Sequence, residues 1–158
     1  MTLPRLYNLC GLIALGCCFT ACDNGCEQKR ESFLHLSFTS TSGRSMRSMT
    51  VRCISGERGY ELSDISKFDD LELDLDPQST QCVITFDCTY NDYGDAFTET
   101  ESLIVDYTAD TRFLDLACGC TVMYDISNAQ NTGNLFRRVQ ITDSQVRTDS
   151  ENNISIEY

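Results

Sequence analysis

Apolar and polar residues alternate one by one through most of this chain, and no other feature constrains its fold as strongly. In residues 33–38, for example, Leu34, Leu36 and Phe38 occupy every second position. A period of two places these side chains on one face of an extended strand, which predicts half-buried β-strands. By this pattern strands are predicted in residues 33–38, 49–54, 71–75, 82–86, 101–107, 111–126 (one or two strands, with Gly119 at a bulge or corner), 135–142 and 153–158.

Turn-forming residues separate these segments. Gly, Asn, Asp and Ser cluster in residues 40–45, 55–59, 76–80, 91–95 and 128–134, proline occurs only at positions 4 and 77, and no periodicity predicts a helix longer than two turns. Short strands at regular turn spacing are typical of sandwiches and barrels. We therefore predict an all-β fold, an antiparallel β-sandwich or partly open barrel of about eight to ten short strands. It forms a single domain, residues 33–158.

The N-terminal segment has the pattern of an export signal. Arg5 precedes an apolar run, residues 9–19, which is shorter than the roughly 20 residues that a membrane-spanning helix needs. The run ends in Phe-Thr-Ala-Cys, which resembles the cleavage motif of bacterial lipoproteins. We expect a signal peptide in residues 1–21, an acylated Cys22 and a short tether to residue 32. A competing match ends at Cys17, and an ordinary signal peptide is the other alternative.

The cysteines divide into groups with different fates. The chain has 10 of them; Cys10, Cys17 and Cys18 leave with the signal, and Cys22 carries lipid. An even set in an exported chain is typical of a disulfide framework. Cys82 and Cys88 share one predicted strand, roughly 20 Å apart, too far to bond to each other. The remaining six disulfide candidates are Cys26, Cys53, Cys82, Cys88, Cys118 and Cys120.

Metal binding and redox chemistry remain alternatives for these cysteines. The chain has no C-x-x-C pair, and His35 is its only histidine, whereas cysteine–zinc sites need short paired spacings. We predict no metal and no cofactor.

The chain is strongly acidic. It has 12 Lys+Arg against 24 Asp+Glu, and removal of residues 1–21 takes away only Arg5, which leaves a net charge of −13. This charge argues against binding to nucleic acid or to an anionic membrane surface. Acidic residues alternate at positions 70, 72, 74 and 76. They are either an exposed strand face that discourages edge pairing or, as an alternative, part of a calcium site.

No sequence pattern indicates catalysis. The chain has no G-x-S-x-G motif and no Gly-rich phosphate loop, and His35 is the one candidate base for a Ser or Cys nucleophile. Its position in the alternation, opposite Leu34 and Leu36, predicts a surface histidine that points away from the core. We therefore predict that the protein is not an enzyme; a small hydrolase is a minor alternative.

Several short motifs together resemble a known family. They are the lipoprotein motif with Cys26 soon after it, the alternating segments, ACG at residues 117–119, VQIT at 139–142 and ENNISIEY at 151–158. The combination resembles small envelope lipoproteins of Bacteroidetes that are known only as a domain of unknown function. The resemblance implies a disulfide between Cys26 and Cys118. The four additional cysteines would then form two further bridges of open pairing, and no activity is implied.

These observations predict a lipid-anchored envelope lipoprotein that acts as a non-catalytic binding or accessory module for a glycan, peptide or envelope protein. It would lie at the outer membrane, on the periplasmic face or the cell surface. The alternative is a subunit of a larger outer-membrane or surface assembly. The candidate ligand contact is the loop of residues 89–97, which otherwise is a plain hairpin loop. Its aromatic and acidic residues are Tyr90, Asp92, Tyr93, Asp95 and Phe97.

Overall fold

The fold is described here from a computed structural model. The described residues are 31–41, 45–67, 70–92, 95–116 and 119–158, without the side chains of 91–95 and 115. They contain strands and no helix, which confirms the all-β prediction. The strands are β1 (Leu34–Thr39), β2 (Ser45–Ser55), β3 (Arg58–Ile65), β4 (Leu71–Leu73), β5 (Gln81–Asp92), β6 (Asp95–Asp115), β7 (Gly119–Asn131), β8 (Arg138–Ile141), β9 (Gln145–Val146) and β10 (Ile154–Glu157).

The signal peptide, the acylated Cys22, most of the tether and the Cys26–Cys118 pair fall outside the described residues. No helix within the described part is long and apolar enough to cross a membrane.

The described strands form two sheets. The larger has six strands in the order β3-β2-β5-β6-β7-β9, and the smaller has four in the order β4-β1-β10-β8. Neither order closes on itself within the described residues, so these strands do not form a closed barrel. Most pairs are antiparallel, but β1 and β10 pair in parallel, with Leu36 opposite Ile154 and Phe38 opposite Ile156. The prediction of a purely antiparallel arrangement is therefore corrected at this one pair.

Apolar residues of both sheets share one core. Phe38 from β1 contacts Phe86 from β5, with ring centroids 5.7 Å apart, and Phe136 packs edge-on against both at 6.1 and 5.2 Å. All three rings are buried. Burial of each such side chain contributes about 1.5–3 kcal/mol, and offset or edge-on ring pairs add to it. This cluster joins the four-stranded sheet to the six-stranded one.

Two strands are much longer than predicted. β5 and β6 have 12 and 21 residues, whereas the alternation predicted strands in residues 82–86 and 101–107. The predicted segment 111–126 is divided between the end of β6 and β7. Beyond Asp106, the last residue of β6 paired with β5, β6 is hydrogen-bonded to β7 alone among the described strands. β7 also pairs with β9 at Tyr124 and Asp125, and past these positions β6 and β7 continue as a two-stranded ribbon. The expected corner is confirmed, since Gly119 has a φ of 74° next to a register shift.

Strand β3 was missed because only the turn before it was recognised. Residues 56 and 57 connect β2 to β3, and Gly56 has a φ of 60°. A two-residue hairpin turn with Gly at its first central position matches the right-handed twist of the strands.

A buried asparagine ties the sheets together. Asn153 has no exposed surface. Its Oδ1 accepts from the His35 amide at 3.1 Å, and its Nδ2 donates to the carbonyls of Asp143 and Gln145 at 3.2 and 3.1 Å. His35 belongs to the four-stranded sheet and Gln145 to the six-stranded one, so one side chain joins both.

Two tyrosines fix the segment that crosses from β4 to β5. Tyr107 Oη donates to the Asp76 carbonyl and Tyr124 Oη to the Leu75 carbonyl, both at 2.8 Å. Buried carbonyls need such partners because an unpaired one costs about 1–3 kcal/mol.

Candidate functional site

A groove of about 530 Å³ lies where the six-stranded sheet meets the segment before β8. This volume falls in the range of small-molecule and peptide-end sites, about 300–1,000 Å³. We call it the Tyr90–Arg137 groove. Its described lining is Tyr90, Glu99, Thr100, Asn134, Leu135, Arg137 and Tyr158.

The lining combines two charges of opposite sign with neutral hydrogen-bonding groups. The Arg137 side chain belongs to an exposed residue, and Glu99 is half-buried. Thr100 and Asn134, both exposed, add a hydroxyl and an amide. A guanidinium binds carboxylates through two parallel hydrogen bonds. The groove is therefore suited to a polar ligand that carries a carboxylate beside hydroxyl or amide groups.

Aromatic rings form the floor of the groove. Tyr90 is 1% exposed, stacks on Phe97 with centroids 5.5 Å apart and lies 6.4 Å from the ring of Tyr158. Burial raises the pKa of Tyr90, so its hydroxyl stays neutral. That hydroxyl has no hydrogen bond of normal geometry in the described residues, and it interacts with the Cys88 thiol. Phe97 thus supports the Tyr90 ring from outside the groove lining.

A buried carboxylate shapes one wall of the groove. Glu101 is 2% exposed, and its side chain accepts hydrogen bonds from the amides of Ser102, Gly133 and Leu135 and from the hydroxyl of Thr132. These donors belong mostly to the segment that carries Asn134 and Leu135 into the groove. Glu101 lies two positions before Leu103 on β6, so the alternation places its carboxylate on the apolar face of the strand. A carboxylate at such a position was the sequence signal that could have identified Glu101 as a buried structural residue.

The predicted ligand loop is only partly brought into this site. Tyr90 and Phe97 are directly paired strand residues, not loop residues, and Tyr90 offers the groove part of a buried ring instead of an exposed stacking surface. Asp92 pairs with Asp95 at the end of the hairpin, but their side chains lie outside the described part, as does Tyr93.

A second cavity, of about 390 Å³, lies between the β2–β3 hairpin and the crossing segment after β4. We call it the Cys53 cavity, since Cys53 lies on its wall beside Ser55, Tyr60 and Asp74. Tyr60 Oη accepts a hydrogen bond from the Asp74 amide at 2.7 Å. Cys53 and Cys82, both almost completely buried, face each other here with their Sγ atoms 2.8 Å apart.

The register limits how the four described cysteines can pair. Cys88 lies opposite Glu99 and Cys120 opposite Phe113, positions about 46 Å apart along β6. Cys82 and Cys88 share β5, as predicted. Each of the three ways to divide these four cysteines into two pairs includes at least one pair that is too far apart to bond. The resemblance implies two bridges among the four, and they do not both form. Burial raises the pKa of the Cys88 thiol to about 12.

His35 points away from the core, as predicted, but it is not a surface histidine. Its side chain is 11% exposed, and Nδ1 lies 3.0 Å from Asp70 Oδ1. Glu72 is its partner across the β1–β4 ladder. One possible metal-ligand atom from each of these three residues lies within 4.8 Å of the others. The contact between His35 and Asp70 and the pairing of His35 with Glu72 already explain this spacing.

The row of acidic residues is divided among separate roles. Asp70 contacts His35, whereas the buried Asp76 caps a turn by accepting from the Gln78 amide at 3.0 Å. These residues therefore do not face one common site.

Exposed apolar side chains occur at the tip of the β6–β7 ribbon. Phe113 is 63% and Leu116 98% exposed. Cys120 is also exposed and lies opposite Phe113. The alternation did not predict these exposed apolar side chains. It predicts a strand at Phe113, but it contains no information on whether that strand extends beyond the sheet.

Comparison with known proteins gives a family and no function. No curated protein and no solved structure matches the chain. Residues 48–158 match the family of unknown function DUF6452. The match covers most of the chain and confirms the prediction of a domain of unknown function. The chain belongs to the DUF6452 family.

Proposed function

We propose that this protein is a lipid-anchored bacterial envelope lipoprotein whose β-domain is a non-catalytic binding module. The Tyr90–Arg137 groove is the observation that carries the proposal. It combines an aromatic floor, a cation, a carboxylate and neutral hydrogen-bonding groups in one cavity. Sites of this composition orient a ligand through a few polar contacts.

The proposed ligand is a carboxylate flanked by hydroxyl or amide groups. An acidic sugar and a peptide end both present this chemistry. Arg137 binds the ligand's carboxylate. Glu99 accepts hydrogen bonds from the neighbouring hydroxyl or amide groups of the ligand, and Asn134 accepts or donates them. The stacked rings and the Glu101 network support binding because a preorganised site loses little entropy when the ligand arrives.

The remainder of the proposal concerns location and architecture. The two sheets around one core form a β-sandwich, and the export signal and Cys22 attach it to the outer membrane of a Bacteroidetes-type envelope. Cys26 and Cys118 form one disulfide. Several acyl chains at Cys22 give a stable anchor, since each buried methylene contributes about 0.8 kcal/mol.

Paired arginine variants test the groove. The mature protein is titrated with acidic oligosaccharides in one arm and short peptides in the other, and binding is followed by NMR shifts. Arg137→Ala should weaken binding at least about tenfold, since hydrogen bonds to charged groups contribute about 1.5–3 kcal/mol. Arg138→Ala is the control, because Arg138 pairs with Glu157 at 3.7 Å and does not line the groove. Equal binding by the two variants would refute the proposal.

The ribbon tip favours a second candidate, a subunit of a larger surface assembly. Phe113 and Leu116 are large apolar side chains in solvent, and such groups are typical of contact sites. In membranes, Phe113→Ser should shift the protein to a smaller complex on native gels. Ile54→Ser, at a side chain that is 56% exposed on β2, is the matched control. An unchanged complex size in the Phe113 variant would contradict this candidate.

A further inference from the structure

We propose that Cys53 and Cys82 form an intramolecular disulfide that joins β2 to β5 next to the Cys53 cavity. The two residues are diagonal neighbours in the ladder, because Cys53 faces Ile84 and Ser55 faces Cys82. Diagonal side chains on one face of a sheet are within reach of each other. Here the Sγ atoms are 2.8 Å apart, within about 0.8 Å of the sulfur–sulfur bond length.

The other described cysteines do not compete for this pair. Cys88 lies on the same strand as Cys82, and it is about 13 Å from the position opposite Cys53. Cys120 lies far away on the ribbon. Cys53 and Cys82 are 1% and 0% exposed, so the bond joins two residues of the core.

The surroundings give the two sulfur atoms different roles. The hydrogen bond from the Cys82 thiol lowers the pKa of Cys53, with a further contribution from Tyr60, while the same contact and burial raise the pKa of Cys82. Cys53 also lines the cavity, and Cys82 does not. Cys53 is therefore the nucleophile that meets the oxidant, and Cys82 completes the bond.

The oxidant is a disulfide compound. The Cys53 thiolate attacks one oxidant sulfur and breaks the oxidant's S–S bond, and the departing thiolate takes up a proton. The Cys82 thiolate then attacks Cys53 Sγ in the mixed disulfide and expels the second oxidant thiolate, which is also protonated. Two electrons and two protons pass to the oxidant, and both of its sulfur atoms become thiols.

The bond closes a chain segment that belongs to both sheets. The two cysteines are 29 positions apart, and the segment between them contains β3, an edge of the larger sheet, and β4, an edge of the smaller one. The disulfide therefore ties down both edges and closes off one side of the Cys53 cavity.

The test uses the mature protein, reduced and then equilibrated with oxidised glutathione. This condition does not depend on the cell compartment, so failure of the proposed export and failure of this inference remain distinguishable. Free thiols are alkylated, and the protein is digested with trypsin and an Asp-specific protease. Cleavage before Asp87 separates Cys82 from Cys88.

The expected product links residues 53–58 to residues 76–86, with a mass lower by two hydrogen atoms than the sum of the reduced peptides. Cys88→Ser should retain this product, and Cys82→Ser should lose it and leave Cys53 alkylated or joined to glutathione. Alkylation of both cysteines in the wild type, or linkage of Cys53 to any other cysteine, overturns the inference.

Discussion

Replacement of Glu101 by glutamine should loosen the wall of the Tyr90–Arg137 groove. The carboxylate accepts four hydrogen bonds, three at Oε1 and one, from the Leu135 amide at 3.0 Å, at Oε2. An amide that keeps its oxygen at the Oε1 position turns its NH₂ group towards the Leu135 amide, so two donors face each other. One hydrogen bond is lost and a buried amide is left unpaired.

The magnitude follows from these contacts. The lost bond to a charged acceptor is worth about 2 kcal/mol, and the three that remain weaken because their acceptor becomes neutral. The neutral amide is easier to bury than a carboxylate, which offsets part of this loss. We expect Glu101→Gln to lower the free energy of unfolding by about 2–3 kcal/mol.

Urea unfolding followed by circular dichroism measures this change. The exposed Glu151→Gln is the control and should stay within about 0.5 kcal/mol of the wild type. An unchanged slope m with a lower midpoint would assign the effect to stability. If Glu101→Gln unfolds at the midpoint of the control, the carboxylate does not organise the groove.

Four further predictions concern other parts of the molecule. Asn153→Ala should lower the free energy of unfolding by about 2 kcal/mol, because the His35 amide and the Asp143 carbonyl lose their side-chain partner while the Gln145 carbonyl keeps the Ser150 hydroxyl; a urea midpoint equal to that of the wild type would contradict the role of Asn153 in joining the sheets. Reduction of the disulfide between Cys53 and Cys82 should cost about 3.5 kcal/mol for a loop of 29 residues, and equal midpoints with and without reductant would argue against it. Folding raises the pKa of the Cys88 thiol from an ordinary 9.0 to about 12, so the free energy of unfolding should be unaffected by this thiol below pH 9 and should fall by about 1.4 kcal/mol per pH unit as pH rises towards 12. Cys88→Ala should flatten the alkaline part of a plot of stability against pH. Identical alkaline slopes in the variant and the wild type would exclude Cys88 as the cause. Cys22→Ser should abolish incorporation of labelled fatty acid in bacteria, and continued labelling would move the anchor to Cys17.

The alternation predicted which residues face the core because a strand has a fixed side-chain period. Leu34, Leu36 and Phe38 are buried as the pattern requires. The partners of each strand depend on contacts far away in the chain, and a period of two contains no information about them. The parallel pairing of β1 with β10 and the length of the β6–β7 ribbon were therefore beyond the pattern.

The candidate site was harder to predict for the same reason. Tyr90 was assigned to a loop by its neighbours, Asn91 and Asp92, although its phase with Phe86 places it on the buried face of β5. Arg137 lies within the strand predicted for residues 135–142, but β8 begins only at Arg138, and tertiary structure brings Arg137 to the groove. Turn residues indicate where a strand is able to end, and the tertiary contacts decide where it ends.

The pairing of β1 with β10 also determines when the domain is able to fold. The backbone of His35 is hydrogen-bonded to Asn153, 118 positions later. During synthesis, β1 emerges before the other described strands and β10 emerges last among them. The four-stranded sheet cannot form until both are present. Contacts this distant in sequence are associated with slow folding, on the scale of milliseconds to seconds. The four-stranded sheet is therefore completed only after β10 has been synthesised, whereas the six-stranded sheet contains neither β1 nor β10.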